Sequence, residues 1–318
     1  MGAGGAGQAG APADPCQNGG MSPPAARAGA RPLWLRAAPI VFLLIWSGSF
    51  VFLKRGLRDA DALTFLALRW VCVVAILLLA FAVVRPRLPA SPRAWANLAM
   101  VGLFLQVGYL VGTYLSLKQG VSAGAVALIT SQQPILVGLL APAVAGERVG
   151  PVRWVGLILG VLGACVVIWA NAAIDVKGMA GLLFALGALA SLAASTLWEK
   201  RFGVATHPVT ANLVQCSVAL VVLAPMAWAL EPMHVNWTPA LLGSLAYLVF
   251  GTSLIAITLL LAMIRQGEAS RVSALFFLVP PVTALIAHGV LGETMAPMAW
   301  LGMGLAALGI YLVMRRAR

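Results

Sequence analysis

The chain has 318 residues, of which 61% are hydrophobic and 9% are charged, and its net charge is +12. Soluble domains carry about 25% charged residues, so this composition excludes most soluble enzymes and binding modules and indicates a lipid environment. The cations lie between apolar runs and form no basic face, which argues against a nucleic-acid partner.

Residues 1–37 are dominated by Gly, Ala and Pro. Such a segment cannot bury enough apolar surface to order itself, so we predict a disordered N-terminal tail. Met21 is an alternative start to Met1, because everything before Met21 is of low complexity.

From residue 38 onward, apolar runs recur that are long enough to cross about 30 Å of hydrocarbon as helices. We predict ten, at residues 38–54, 62–84, 95–117, 121–144, 151–171, 178–199, 208–230, 240–264, 269–291 and 297–314. Strands of a membrane barrel would alternate with period two over about ten residues. These runs are longer and uniformly apolar, so the predicted fold is an all-α polytopic membrane protein.

Lys and Arg are distributed unevenly between the two sides of these helices. Fifteen lie in the tail, the even-numbered loops and the C-terminus, whereas five lie in the odd-numbered loops. Because cytoplasmic loops are rich in Lys and Arg, both termini are predicted to be cytoplasmic. Lys54, Arg55 and Arg58 in the first loop argue locally against this orientation. The Ala, Gly and Arg bias is typical of a GC-rich bacterium, which indicates an inner-membrane location.

The second half of the chain repeats the first at an offset of 146 residues, without a gap. An odd number of crossings inverts the second unit, so the halves are predicted to be related by an axis in the membrane plane, as in secondary transporters. The predicted five-helix units are residues 38–174 and 175–318, and the symmetry favours 38–54 as a retained helix over a cleaved signal peptide. The matching pairs include Lys54 and Lys200, Ser49 and Ser195, Pro134 and Pro280, Glu147 and Glu293, and Trp154 and Trp300.

Several short motifs recur in order in both halves. They are the run Trp46-Ser47-Gly48-Ser49-Phe50 ending in Lys54, Pro134 followed by Gly146-Glu147-Arg148, and the second copies Pro280 and Gly292-Glu293. With these motifs, residues 38–314 resemble the drug/metabolite transporter superfamily, and within it the EamA-type ten-helix exporters. The resemblance implies efflux of small metabolites, such as amino acids or drugs, from a cavity between the repeats. It also implies that Glu147 and Glu293 are a signature at helix ends and not a catalytic pair.

The densest polar cluster inside a predicted span precedes Pro134 in the fourth helix. Pro134 leaves one backbone carbonyl without its helical hydrogen-bond partner. This carbonyl and the two side-chain amides could hydrogen-bond a substrate at the membrane midplane. The alternative is that the amides join neighbouring helices. In the second repeat, the equivalent residues 276–279 are apolar, but the proline is present as Pro280. The prolines are therefore interpreted as structural, whereas the polar residues before Pro134 favour a substrate site. The members of the cluster are Thr130, Ser131, Gln132 and Gln133.

The third predicted helix carries small and polar residues at spacings of three and four, which places them on one face. A comparable face in the eighth helix, with aromatic and hydroxyl residues of the first and sixth, predicts the remaining walls of a cavity. For any one residue, close helix packing is an equal alternative. The predicted substrate-binding residues of these walls are Gln106, Tyr109, Thr113, Trp46, Ser49 and Tyr247.

Arg69 is a charge well inside a predicted span, where it costs on the order of 3 kcal/mol. One interpretation is a contact with an anion or carboxylate of the substrate. The other is a pair with Asp61 or Asp59, or a side chain that reaches the nearer membrane face. The repeat-equivalent residue is Gln215, which is polar but uncharged.

Small residues spaced by four occur as Gly156 and Gly160 in the fifth predicted helix and as Gly302 and Ala306 in the tenth. Such stripes allow close helix packing. They either join the two repeats or form the face of a homodimer.

The leading hypothesis is a secondary transporter that exports a small neutral or zwitterionic metabolite, an amino acid or a drug-like molecule, by alternating access. Its partners are the substrate, the bilayer and either a proton or a counter-substrate. We expect no cofactor, no metal and no enzymatic activity, because neither a nucleotide-binding loop nor metal-ligand spacing occurs. The alternatives are a passive channel and an intramembrane hydrolase with Ser253 and His288 as its catalytic pair.

Overall fold

The computed structural model describes residues 33–145, 151–170, 176–203, 206–265, 275–276, 278–294 and 296–314. Most of the predicted tail, together with Glu147, lies outside these residues. The helices are α1 (Leu33–Gly56), α2 (Ala62–Val84), α3 (Pro92–Lys118), α4 (Ala123–Ser131 and Gln133–Ala145), α5 (Pro151–Ala170), α6 (Val176–Phe202), α7 (Pro208–Leu230), α8 (Pro239–Ala246, Tyr247–Ala256 and Ile257–Arg265 in succession), α9 (Val279–Leu291) and α10 (Pro297–Met314).

The predicted all-α polytopic membrane fold is confirmed. Within the described ranges, seven helices are long and apolar enough to cross a membrane, namely α1, α2, α3, α4, α6, α7 and α8. Three shorter apolar helices lie within α5, α9 and α10. Among the described residues, the strand-like pairing is a single isolated antiparallel bridge between Ala60 and Val235.

Local sequence signals set several helix starts. The hydroxyls of Ser91, Ser122 and Thr238 each accept a hydrogen bond from a backbone N–H three residues later, at 3.1 to 3.2 Å. Such N-caps satisfy donors that would otherwise have no partner in the first turn. Pro92 and Pro239 follow two of these caps, at positions where a missing N–H costs nothing.

Connections of the chain meet at two opposite ends of the bundle. At one, which we call the Lys54 end, Lys118 Nζ donates to the carbonyls of Leu57 and Ala60, and Asp61 N donates to His234 O. At the other, the Arg87 end, Thr210 Oγ1 donates to Arg87 O at 3.5 Å.

The loop 57–61 therefore lies at the Lys54 end, whereas His207, the repeat equivalent of Asp61, directly precedes α7 at the Arg87 end. Equivalent loops at opposite ends mean that the second repeat is inverted with respect to the first.

Packing between the halves follows this symmetry. Helix α2 packs on α7, and α5 packs on α10, each against its own repeat equivalent. The contact of α3 with α6 has its counterpart in the contact of α1 with α8, and α4 packs on both α6 and α9. A shared apolar core, which includes the fully buried Phe65 and Tyr114, extends from α1, α2 and α3 of the first repeat to α7 and α8 of the second.

The small-residue stripes join the repeats and are buried where α5 crosses α10. A Cβ on Gly163 would lie 2.5 Å from the carbonyl oxygen of Gly302, and one on Gly309 would lie 2.6 Å from that of Gly156. Real Cβ atoms do not approach other atoms so closely, so the backbones touch directly. Of the two interpretations of these stripes, the structure therefore favours the contact between repeats.

Candidate functional site

Two adjoining cavities lie between the repeats. The Arg69 lobe is bounded by α1, α2, α3, α7 and α8, and the Gln133 lobe by α1, α3, α4, α6 and α9. Their volumes are about 850 and 1070 Å³, including the open space at their mouths. The lobes share Trp46, Phe50, Leu105 and Tyr109, which form the partition between them.

The Gln133 lobe spans the symmetry axis of the molecule. Three pairs of its lining residues are separated by the repeat offset of 146, and the Arg69 lobe contains two such pairs, Gln106 with Thr252 and Trp70 with Cys216. Inverted-repeat transporters place their substrate sites at this interface. The three pairs are Trp46 with Leu192, Thr130 with Phe276, and Gln133 with Val279.

Equivalent π-helical segments line the cavity from both halves. They are Leu103–Tyr109 in α3 and Tyr247–Ala256 in α8, and the first, moved by the repeat offset, falls inside the second. Isolated π-helical turns inside α-helices are frequent at functional sites, because their wider turn redirects side chains. Gln106 and Tyr109 enter the lining from the first segment, and Thr252 and Ser253 from the second.

Arg69 lies on the wall of its lobe and is only 6% exposed. Its Nη2 donates to Ser253 Oγ at 3.0 Å, and its guanidinium lies 5.0 Å from the ring centroid of Trp70. The side chain therefore does not reach the membrane face, and the interpretation by snorkelling is wrong.

Neither of the acidic partners considered for Arg69 reaches it. Asp61 Oδ2 accepts a hydrogen bond from His234 N at 2.9 Å, and Asp59 Oδ2 accepts one from Thr238 Oγ1 at 2.8 Å. Both carboxylates thus tie loops together at the Lys54 end. The expected pair with Asp61 or Asp59 is not formed, because these acids precede α2 and Arg69 lies two turns inside it.

The predicted polar cluster of α4 is divided between two environments. Thr130, Ser131 and Gln133 line the Gln133 lobe, and Gln133 Nε2 donates to Thr196 Oγ1 of α6 at 2.7 Å. Gln132 is 6% exposed and lies instead toward α5, where a Cβ on Gly160 would be 3.1 Å from its Oε1. Helix α4 breaks at Gln132, before Pro134, so consecutive amides point to different neighbours.

The hydroxyls of the cavity mostly satisfy their own helices. Thr130 Oγ1 donates to Val126 O at 2.9 Å and Ser131 Oγ to Leu128 O at 2.7 Å. Ser49 and Thr113 donate in the same way to the carbonyls of Trp46 and Tyr109. These hydroxyls therefore retain acceptor capacity toward the cavity.

Tyr247 lies outside both lobes. Its ring stacks on Phe52 with centroids 4.0 Å apart, and its hydroxyl donates to Ile45 O at 3.1 Å. It packs directly over Gly48, where a Cβ would lie 3.1 Å from Cζ. Its place in this structure is that of a packing residue between α1 and α8.

Three of the residues predicted to be structural lie within the described ranges, and each occupies a helix start or a helix end. Pro280 is buried in the first turn of α9, which begins at Val279, and a proline there breaks no helical hydrogen bond. Glu293 follows Gly292, whose φ of 70° ends α9. Pro134 lies in the first turn of the second α4 segment and also lines the Gln133 lobe.

Sequence reasoning missed several lining residues, namely Trp70, Asn212, Cys216, Thr252 and Ser253 in the Arg69 lobe and Phe276 in the Gln133 lobe. Two of them could have been predicted from the repeat offset, because Thr252 is the equivalent of Gln106 and Phe276 is the equivalent of Thr130.

Ser253 and His288 do not form the catalytic pair considered for a hydrolase. Ser253 accepts from Arg69 and donates to Leu248 O at 3.1 Å, inside the Arg69 lobe. His288 lies in a separate surface cavity beside Trp300, and its Nδ1 is 3.0 Å from Glu293 O. Over the described ranges, no group of three His, Cys, Asp or Glu residues is placed to hold a metal ion.

A helical membrane protein with a cavity between two inverted five-helix repeats has the architecture of a membrane transporter. Comparison with known families agrees: residues 35–169 and 179–315 each match the EamA-like transporter family. The chain belongs to this family.

Individual relatives point the same way. The chain is 26% identical to the "Probable amino-acid metabolite efflux pump" of Salmonella typhimurium, over 86% of this chain and 92% of that protein. It is 27% identical to the "Uncharacterized inner membrane transporter YedA" of Escherichia coli K12, over 88% and 90% of the two chains. A known crystal structure shares the fold with a TM-score of 0.62 at 18% identity, over 88% of this chain and 96% of that one.

Proposed function

We propose that this membrane transporter is a secondary exporter of a small neutral or zwitterionic metabolite, an amino acid or a drug-like molecule, and that it works by alternating access. The observation that carries the proposal is the two-lobed cavity at the interface of the inverted repeats. The cavity combines aromatic walls with a few polar groups, which is the composition of a small-molecule site. The relative named as a probable amino-acid metabolite efflux pump supports export and this range of substrates.

Alternating access is supported by how the Lys54 end is closed. Lys54 of the first repeat and Glu293 of the second form an ion pair there, so the two halves are linked across the axis of the molecule. That link has to break before the cavity opens at this end. Rocking of one inverted repeat against the other is the general way in which such folds expose a fixed site to either side.

We place the Arg87 end and both termini in the cytoplasm, with the protein in the bacterial inner membrane. The support is the charge of the loops, because the Arg87 end carries Arg85, Arg87 and Arg93 without a neighbouring acid in its segment 85–95. At the Lys54 end, by contrast, the cations alternate with Asp59, Asp61, Glu231 and Glu293. The E. coli relative is named as an inner membrane transporter, which supports the location.

The test is counterflow with purified protein in liposomes, screened against amino acids, nucleosides and cationic drugs. A carrier gives saturable uptake that rises when unlabelled substrate is present on the opposite side. Repeating the assay with a pH gradient reports whether a proton or a counter-substrate is exchanged. Linear flux without stimulation from the opposite side would contradict the carrier and favour a passive channel.

A further inference from the structure

Arg69 is a permanent charge held inside the membrane region on the wall of the cavity. It is 6% exposed, and an arginine cannot lose its proton to escape the cost of burial. Buried charges are normally paired, and none of the lining residues within the described ranges is an Asp or a Glu in either lobe. The guanidinium is instead oriented by a neutral hydroxyl, that of Ser253.

Hydrogen-bond donors in the same lobe lack acceptors. Arg69 Nε and Trp70 Nε1 are buried and make no hydrogen bond of good geometry among the described residues, and the same holds for Thr252 Oγ1. All three residues line the Arg69 lobe. The Tyr114 hydroxyl lies near the Arg69 guanidinium, but it is neutral and does not balance the charge. Guanidinium and indole N–H groups only donate, so the lobe offers an excess of donors and one positive charge. The complementary chemical group accepts several hydrogen bonds and carries a negative charge.

A carboxylate meets both requirements. It accepts up to about four hydrogen bonds and matches the planar guanidinium, and charge-assisted bonds of this kind are about twice as strong as neutral ones. We propose that Arg69 binds the carboxylate of the transported substrate and thereby makes a carboxylate a requirement for transport. This inference rests on the transport function proposed above, and it selects one substrate class from that range.

The second lobe accounts for the rest of such a substrate. Beyond the partition, the Gln133 lobe has apolar walls and a few polar groups. The walls include Leu192, Phe276 and Val279, and the polar groups are Thr130, Ser131 and Gln133. An apolar or aromatic side group fits these walls, while the carboxylate remains across the partition. Arg69 repels a ligand that carries a cation and no carboxylate, so simple amines and cationic drugs are excluded.

The test compares ligands that differ only in the carboxylate. The probes are L-phenylalanine, L-leucine and L-methionine, the amide of each, and the corresponding decarboxylated amines. Binding is measured by the fluorescence of Trp46 and Trp70 in detergent-purified protein, with each of the other tryptophans replaced in turn as a control, and counterflow is measured separately in liposomes. We expect at least one acid to bind at least about tenfold more tightly than its amide, and its amine not to bind.

Variants of Arg69 and Ser253 test the residues. The repeat equivalent of Arg69 is Gln215, which is buried in α7. Because the fold accepts a buried glutamine at that position, we expect Arg69→Gln to fold. We expect it to weaken binding of the acid and to strengthen binding of the amide, whose ammonium group Arg69 no longer repels, so that the preference for the acid is lost. Arg69→Lys, which keeps the charge, should restore part of the preference. Ser253→Ala, which frees the guanidinium, should weaken acid binding less than Arg69→Gln does.

The outcomes separate this inference from the proposed function. Equal binding of acids and amides to the wild-type protein, or unchanged acid binding in Arg69→Gln, would overturn the carboxylate site even if counterflow is observed. Absence of binding by every acid would overturn it as well. A preference for acids that depends on Arg69 supports the carboxylate site. If the same preparation shows this preference but no counterflow, the carboxylate site stands and the proposed transport function is contradicted.

Discussion

Lys54 in α1 and Glu293 at the end of α9 form an ion pair between the two repeats, with Nζ and Oε1 2.5 Å apart. Lys54 Nζ also donates to Val121 O at 2.8 Å, and Glu293 Oε2 accepts from Ala123 N at 3.1 Å. Both side chains are less than one-fifth exposed, so water screens the pair only partly.

The first prediction is that this pair keeps the Lys54 end closed. We expect Lys54→Gln and Glu293→Gln each to increase, several-fold, the rate at which a membrane-impermeant thiol reagent added outside spheroplasts modifies Cys216. Cys216 lines the Arg69 lobe and is 3% exposed, so it reports opening of the cavity. Cys16, Cys72 and Cys165 are replaced by Ser for this measurement.

Lys118 provides the matched control for that experiment. It lies at the same end, but its Nζ bonds to the carbonyls of Leu57 and Ala60 within its own repeat. Lys118→Gln should therefore leave the modification rate of Cys216 near the wild-type value. Equal rates in all three variants would show that the ion pair does not hold this end closed.

The second prediction separates two adjacent amides of α4. Gln133→Ala should lower the counterflow rate of a transported substrate about tenfold, because it removes a polar group of the Gln133 lobe and its bond to Thr196. Gln132→Ala should leave the rate unchanged, since that side chain faces α5. Initial rates at saturating and limiting substrate measure the effect. Equal losses in the two variants would contradict the division of the cluster.

The architecture could be predicted from the sequence because it depends on patterns that extend over many residues and do not require every helix to be regular. Apolar runs of sufficient length predict the helices, and the 146-residue offset predicts the inversion without reference to any single contact. The offset also relates Gly163 to Gly309, the two glycines that meet the opposite helix where α5 crosses α10. Such features are specified by many residues at once, so an error at one position does not change the result.

The side chains of the cavity were less predictable, because two departures from a regular helix rotate them. A spacing of three and four residues places Tyr247 and Gly251 on the cavity face of α8, but the π-helical segment brings in Leu248 and Thr252, one residue further on. In α4, the break at Gln132 turns that amide away from Gln133. Pro134 signals the break in α4, but not the direction in which each amide then points. The π-helical segment arises from backbone hydrogen bonding, which an apolar sequence of this kind does not reveal.

The third prediction concerns the crossing of α5 and α10. Gly163→Ala places a Cβ against the backbone of α10, so the helices must separate, and we expect a loss of about 1 to 3 kcal/mol in the free energy of unfolding. Gly304→Ala is the control, because on the same α10 nothing lies within 4 Å of its Cβ. The fraction of protein that stays monodisperse after heating in detergent measures the difference. A loss as large in Gly304→Ala would mean that the backbone contact is not the cause.

The fourth prediction concerns Glu231, which follows α7 and joins it to the start of α2. Its carboxylate accepts from Leu63 N at 2.9 Å and from Thr64 N at 2.8 Å, so it caps α2 from the other repeat. Glu231→Ala removes both acceptors and the charge that favours a helix N-terminus, at a cost of about 1 to 2 kcal/mol. Glu231→Gln keeps one acceptor oxygen and should lose about half as much. Thermal unfolding of the two variants beside the wild type measures this order, and equal stability of all three would exclude the cap as a link between the repeats.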